Sequence, residues 1–246
     1  MIPKSGSRFS VKITQTEIRS KNMSAREAAG AHDPTQLPAD LPVPQDDGRA
    51  KHLPGARLPD VTLPATDGSR VNLSKLKGRT VLYIYPRTGV PGVDAPPGWD
   101  DIPGARGCTP QSCSFRDHFA DLKSLGVSHV FGLSTQDTSY QREAAERLHL
   151  PFSILSDADL DFASSLHLPL FMTSGMTLLS RMALVIEDGK IVKAFYPVFP
   201  PDKNAEEVIA WLRNQPSVPV VVASGESQLK MKTLNEKPGS PRNGAP

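Results

Sequence analysis

The chain has 246 residues and sets 28 Lys and Arg against 26 Asp and Glu, a formal charge of +2. That balance is too even for the basic footprint of a protein bound to nucleic acid or a membrane surface. Two cysteines cannot staple a secreted scaffold of this length, and the longest apolar runs, Val81 to Tyr85 and Met182 to Ile186, fall far short of a bilayer span.

Residues 1–52 lack a periodic apolar pattern and are rich in polar and proline positions, as in Pro34-Thr35-Gln36-Leu37-Pro38. This predicts a disordered or loosely attached N-terminal extension. Its first part holds Lys4, Arg8, Lys12, Arg19 and Lys21 against Glu17 and lacks the apolar stretch of a secretory signal. The expected compartment is the reducing cytoplasm; if the basic start is a transit peptide, the alternative is a mitochondrion or other organelle. Residues 215–246, with five Pro and three Gly among polar groups, predict a disordered C-terminal tail.

Between the tails, in residues 53–214, strands and helices alternate. Thr80 to Tyr85 reads as a strand buried on both faces. Phe115, Phe119, Leu122 and Leu125 recur at helical spacing until Gly126 stops them. His129 to Ser134 predicts a strand, Tyr140, Ala144 and Leu148 a helix, Phe152 to Leu155 a short strand, and Leu160, Ala163 and Leu166 another helix. Met182 to Ile186 and Ile191 to Tyr196 flank Asp188-Gly189, a hairpin signal, and Val208, Trp211 and Leu212 mark a last helix. The order predicts an α/β protein, a three-layer α/β/α sandwich with a mixed central sheet.

Both cysteines fall within Gly107-Cys108-Thr109-Pro110-Gln111-Ser112-Cys113. Chance would place two so close in about a few per cent of such chains. Thr109 is a good helix N-cap and Pro110 a good first helical residue, so Cys108 sits where a helix dipole and free N–H groups favour a thiolate. A thiolate there can attack a peroxide oxygen and become a sulfenic acid. Cys113 is near enough in sequence to resolve it as a disulfide. The spacing is not that of a Cys-x-x-Cys exchanger, two thiols do not complete a zinc site, and His118, His129, His149 and His167 follow no metal-binding spacing. Buried, inert thiols remain the plain alternative.

Residues from about 53 to 213 resemble the peroxiredoxin superfamily, and most of all its peroxiredoxin Q (bacterioferritin comigratory protein) branch. The resemblance lies in Leu58-Pro59-Asp60-Val61-Thr62-Leu63-Pro64 with Asp67-Gly68, in Tyr85-Pro86, in Gly107-Cys108-Thr109 with Cys113 five residues later, and in Arg181 ahead of Met182 to Ile186. It implies a thioredoxin-like fold, hydroperoxide substrates, no metal or organic cofactor, and reduction by thioredoxin or a similar dithiol. The expected assembly is a monomer or weak homodimer without nucleic-acid or membrane partners. Cys108 would be the nucleophile, Cys113 the resolving thiol, Arg181 the active-site arginine and Pro86 the active-site proline.

The sequence departs from the family pattern in the segment before the nucleophile. Seven and three residues before Cys108, where the family has a proline and a hydroxyl residue, stand Asp101 and Ala105, after an enlarged loop from Arg87 to Gly107. Thr88 is the nearest candidate for the missing hydroxyl, and Trp99 either lids the site or stands exposed. The resulting reading is a thiol peroxidase working through a Cys108 sulfenic acid and a Cys108–Cys113 disulfide. The rival is a non-enzymatic redox sensor or interaction module switched by the same disulfide.

Overall fold

The computed structural model describes residues 35–215. The basic segment 1–22 and the tail 216–246 lie outside the described residues.

A short opening hairpin, β1 (Leu63–Pro64) and β2 (Arg70–Val71), turns at Asp67-Gly68. The main sheet contains β3 (Arg79–Ile84), β4 (Val127–Ser134), β5 (Ile154–Ser156), β8 (Met182–Glu187) and β9 (Lys190–Phe195) in the order β5-β4-β3-β8-β9. β3 runs parallel to β4 and β4 to β5, whereas β8 is antiparallel to β3 and to β9. The helices are α1 (Cys108–Asp117), α2 (Phe119–Ser124), α3 (Thr138–Arg147), α4 (Asp161–Leu166) and α5 (Asn204–Arg213).

The continuous apolar run of β3 is explained by burial on both faces. Val81, Tyr83 and Tyr85 join Phe115, Leu122, Val208 and Leu212 of α1, α2 and α5 in one core. Leu82 and Ile84 face the other way, onto Phe162, Ala163 and Leu166 of α4 and the opening hairpin. Alternation along a strand thus feeds two cores and makes the three-layer thioredoxin-like α/β/α sandwich. At about 25 cal/mol per Å² of apolar surface, each fully buried Leu or Phe here contributes roughly 2–3 kcal/mol.

The structure changes one helix reading, adds a hairpin and closes the enlarged loop. The helix read through Phe115 to Leu125 is two, because the chain leaves helical geometry at His118 (φ −99°, ψ 13°). A further hairpin, β6 (Leu170–Thr173) with β7 (Met176–Leu179), turns at Ser174-Gly175. The enlarged loop is not open: Trp99, only 6% exposed, packs with Ala105 and Leu178 and against Ile102 and Phe171 in a third core under that hairpin. Trp99 is therefore buried and not an exposed loop aromatic.

The described part of the N-terminal extension, residues 35–52, is attached to the domain. Ala50 is buried, Arg49 donates to the carbonyl of Leu170 (2.8 Å), the Tyr196 hydroxyl donates to Asp47 (3.0 Å), and the Gln36 carbonyl accepts from Arg106 (3.2 Å). Proline-rich, weakly periodic sequence conceals this attachment, because its ties are single long-range bonds and not a repeating face.

Candidate active site

Helix α1 begins one residue earlier than the N-cap preference of Thr109 indicates: Gly107 is the N-cap and Cys108 the first helical residue. Gly107 holds φ +101°, and a Cβ there would collide with Pro201 and Leu37. Only glycine reverses the chain here without strain or clash, and that reversal wins over the capping preference of Thr109. Pro110 lies in the first turn, where its missing N–H costs no helical hydrogen bond.

The Cys108 sulfur, 3% exposed, receives the Arg87 backbone N–H at 3.4 Å and Arg181 Nη2 at 3.3 Å, and its own S–H points to the Ala105 carbonyl at 3.5 Å. Arg181 is equally buried. Its Nε donates to the Gly104 carbonyl (3.2 Å), Nη2 to those of Ala105 (3.0 Å) and Arg106 (2.9 Å), and Nη1 to Gly107 (3.4 Å) and Gln111 Oε1. Gln111 in turn donates to Asn204 Oδ1 at 2.9 Å, tying α1 to α5. No ion pair among the described residues engages Arg181. Its donors are turned instead to backbone carbonyls, the Gln111 side chain and the Cys108 sulfur.

Pro86 is buried directly after Tyr85, whose N–H bonds the Leu133 carbonyl, and directly before Arg87. It thus sits between the end of β3 and the amide that reaches the sulfur. Thr88 is also buried, but its hydroxyl donates to Gln136 Oε1 (3.1 Å), not to the sulfur. The Ala105 side chain is packed in the apolar Trp99 cluster, while its carbonyl faces Cys108 and Arg181.

Cys113 lies on the same helix, half-buried and unbonded to Cys108. Burial pushes its thiol above the ordinary range, with Arg116 offsetting part of the effect. Five helical residues separate Cα atoms by roughly 8–9 Å, beyond the ~7 Å reach of a disulfide.

Beside Arg181 opens a cavity of about 250 Å³, walled by Pro44, Arg49, Ile102, Phe171 and Tyr196. Arg181 spans from this cavity to the sulfur. Among the described residues, no three His, Cys, Asp or Glu side chains gather where they could share a metal ion.

The structure therefore brings Cys108, Arg181 and the Pro86–Arg87 turn together and adds Gln111, Asn204, Gln136 and Tyr140. Gln111, three residues after Cys108 on the same helix face, had a readable signal in that spacing. Gln136 had none, because its contacts cross between loops.

The family model for Redoxin matches residues 53–209, more than half of the chain. The chloroplastic peroxiredoxin Q of Oryza sativa subsp. japonica is 31% identical over 196 residues, covering 77% of this chain and 82% of the rice protein. The chain belongs to the peroxiredoxin Q family. The putative peroxiredoxin bcp of Coxiella burnetii is 28% identical, over 64% of this chain and 97% of that protein. The crystal structure of peroxidoxin BcpB from Mycobacterium tuberculosis superposes with a TM-score of 0.53 at 26% identity, covering 67% of this chain and 98% of that one. Membership makes this peroxiredoxin an enzyme, a thiol-based peroxidase.

The expected cytoplasmic setting is corrected by the same comparison. Seven plant relatives are chloroplastic proteins, which favours an organelle over the cytoplasm. Two cysteines signal only a reducing environment, which the cytoplasm shares with organelle interiors.

Proposed function

We propose that this peroxiredoxin reduces hydrogen peroxide or organic hydroperoxides through Cys108 and is reset through a Cys108–Cys113 disulfide. The observation that carries the reading is the Cys108 sulfur at a helix start between the Arg87 N–H and Arg181 Nη2, with Cys113 on the same helix. The Cys108 thiolate attacks one oxygen of the O–O bond. That bond breaks, the distal oxygen leaves and takes a proton as water or alcohol, and the sulfur becomes a sulfenic acid. The arginine and the amide stabilise charge on the sulfur and on the oxygen it attacks.

Cys113 then attacks the sulfenic sulfur, forms the S–S bond and releases water. Thioredoxin or a similar dithiol reduces that bond by two exchange steps, leaving its own disulfide. Because the helix holds the thiols too far apart, the first turns of α1 must open before the bond closes. Intact mass after one equivalent of peroxide tests the scheme. A loss of two hydrogens in the unsubstituted protein, one added oxygen in Cys113→Ser, and no peroxide consumption by Cys108→Ser are expected. Peroxide consumption by a folded Cys108→Ser protein overturns it.

The same required opening favours a second reading, in which the disulfide also switches an interaction surface. Sustained turnover with a dithiol donor distinguishes a catalytic cycle from a switch that fires once.

A further inference from the structure

The amide that faces the Cys108 sulfur opens an enlarged loop with glycines at 89, 92, 98 and 104. Backbone of that composition does not hold an N–H in place unaided. The restraint comes from outside the loop. Gln136 Oε1 accepts both the Thr88 backbone N–H (2.9 Å) and the Thr88 hydroxyl (3.1 Å), and Gln136 Nε2 approaches the Thr88 carbonyl at 3.4 Å. A backbone N–H only donates, so the atom facing it is the carboxamide oxygen.

The Tyr140 hydroxyl donates to the same Thr88 carbonyl at 3.0 Å, and its ring carries the Arg87 guanidinium at 5.3 Å. Gln136 is itself fixed: Ser156 Oγ donates to its carbonyl (2.7 Å), and its N–H donates to Ser134 Oγ (3.3 Å). The next residue, Asp137, caps α3.

We infer that Gln136, between β4 and α3, is a positioning residue for the peroxide reaction, clamping Thr88 so that the Arg87 N–H stays directed at the Cys108 sulfur. Pro86 supplies the other end of the restraint, since its ring fixes φ on the near side of Arg87. The Arg87 amide is thus held between a closed ring and a carboxamide clamp, although the loop beyond it is long.

The inference rests on Cys108 being the nucleophile, and its test keeps the two apart. The readouts are the rate of Cys108 oxidation by hydrogen peroxide, the pH profile of Cys108 alkylation by iodoacetamide, and the thermal midpoint, all on the full chain. Gln136→Leu should slow oxidation about tenfold, as expected for loosening one donor to a reacting anion. It should also shift the alkylation profile to higher pH. Gln136→Glu keeps an oxygen for both Thr88 donors and should recover most of the rate.

If Gln136→Leu fails to fold, Thr88→Val combined with Tyr140→Phe removes two ties without emptying the site and should slow oxidation similarly. An unsubstituted rate and pH profile in folded Gln136→Leu, or in the double variant, overturns the inference. So does a Gln136→Glu protein as slow as Gln136→Leu. A dead Cys108→Ser beside a fully active Gln136→Leu refutes the positioning role alone, whereas an active Cys108→Ser refutes the nucleophile itself.

Discussion

Arg181 reaches Cys108 by two routes. Its Nη2 stands 3.3 Å from the sulfur, and the same guanidinium holds the carbonyls of Gly104, Ala105, Arg106 and Gly107, the four residues that lead into the helix. Charge and loop geometry therefore come from one side chain. Lysine supplies the charge but not the planar fork.

Arg181→Lys is accordingly expected to slow Cys108 oxidation by about 100-fold, nearly as far as Arg181→Met, the scale of losing a preorganised donor. Rapid-quench alkylation of the remaining thiol under excess peroxide measures this. A lysine variant close to the unsubstituted rate would mean that charge alone matters.

Cys113 has a pH signature of its own. Burial raises its proton affinity in the folded protein, and Arg116 offsets part of that. In Cys108→Ser, alkylation of Cys113 should therefore rise only above the ordinary thiol range and move down into it in urea. A raised folded pKa also fixes the sign for stability: the contribution is full below the unfolded pKa and is lost as pH rises through the folded one. Coincident folded and urea-unfolded alkylation profiles would remove the effect.

The oxidised protein should show local opening of α1. Amides from about Thr109 to Phe115 are expected to exchange with solvent faster in the disulfide form than in the reduced form, because Cys108 and Cys113 cannot bridge across regular helix. Hydrogen exchange read by mass spectrometry decides it. Equal protection in both forms would contradict the opening step.

Gly107→Ala places a side chain at φ +101° and into Pro201 and Leu37. A cost of about 1–3 kcal/mol is expected, with a lower thermal midpoint and slower peroxide reduction, since the helix start carries Cys108. Unchanged stability would show that the reversal tolerates a Cβ.

Much of this architecture is legible in the sequence because burial imposes period. The run Thr80 to Tyr85 and the Asp188-Gly189 hairpin read directly, and Gly107-Cys108-Thr109 with Cys113 marks the reactive helix. The hairpin at Ser174-Gly175 was available as a turn signal between apolar runs. What escapes is tertiary. Thr88 reads as a spare hydroxyl until Gln136 is seen to take it, and Trp99 reads as a loop aromatic until Leu178 and Phe171 are seen above it. Neither partner lies at a helical or strand interval, so no local pattern encodes the contact.

The family match starts at residue 53, but Pro44 and Arg49 form part of the cavity wall beside Arg181, and Leu37 abuts Gly107. A chain trimmed to start at 53 keeps both cysteines and every strand and helix named above. It loses the residues that screen the guanidinium from bulk water. Water admitted there raises the local dielectric and weakens the hold of Arg181 on an anionic sulfur. Rates measured on such a trimmed chain would describe a wetter, less polarised sulfur than the one in the intact protein.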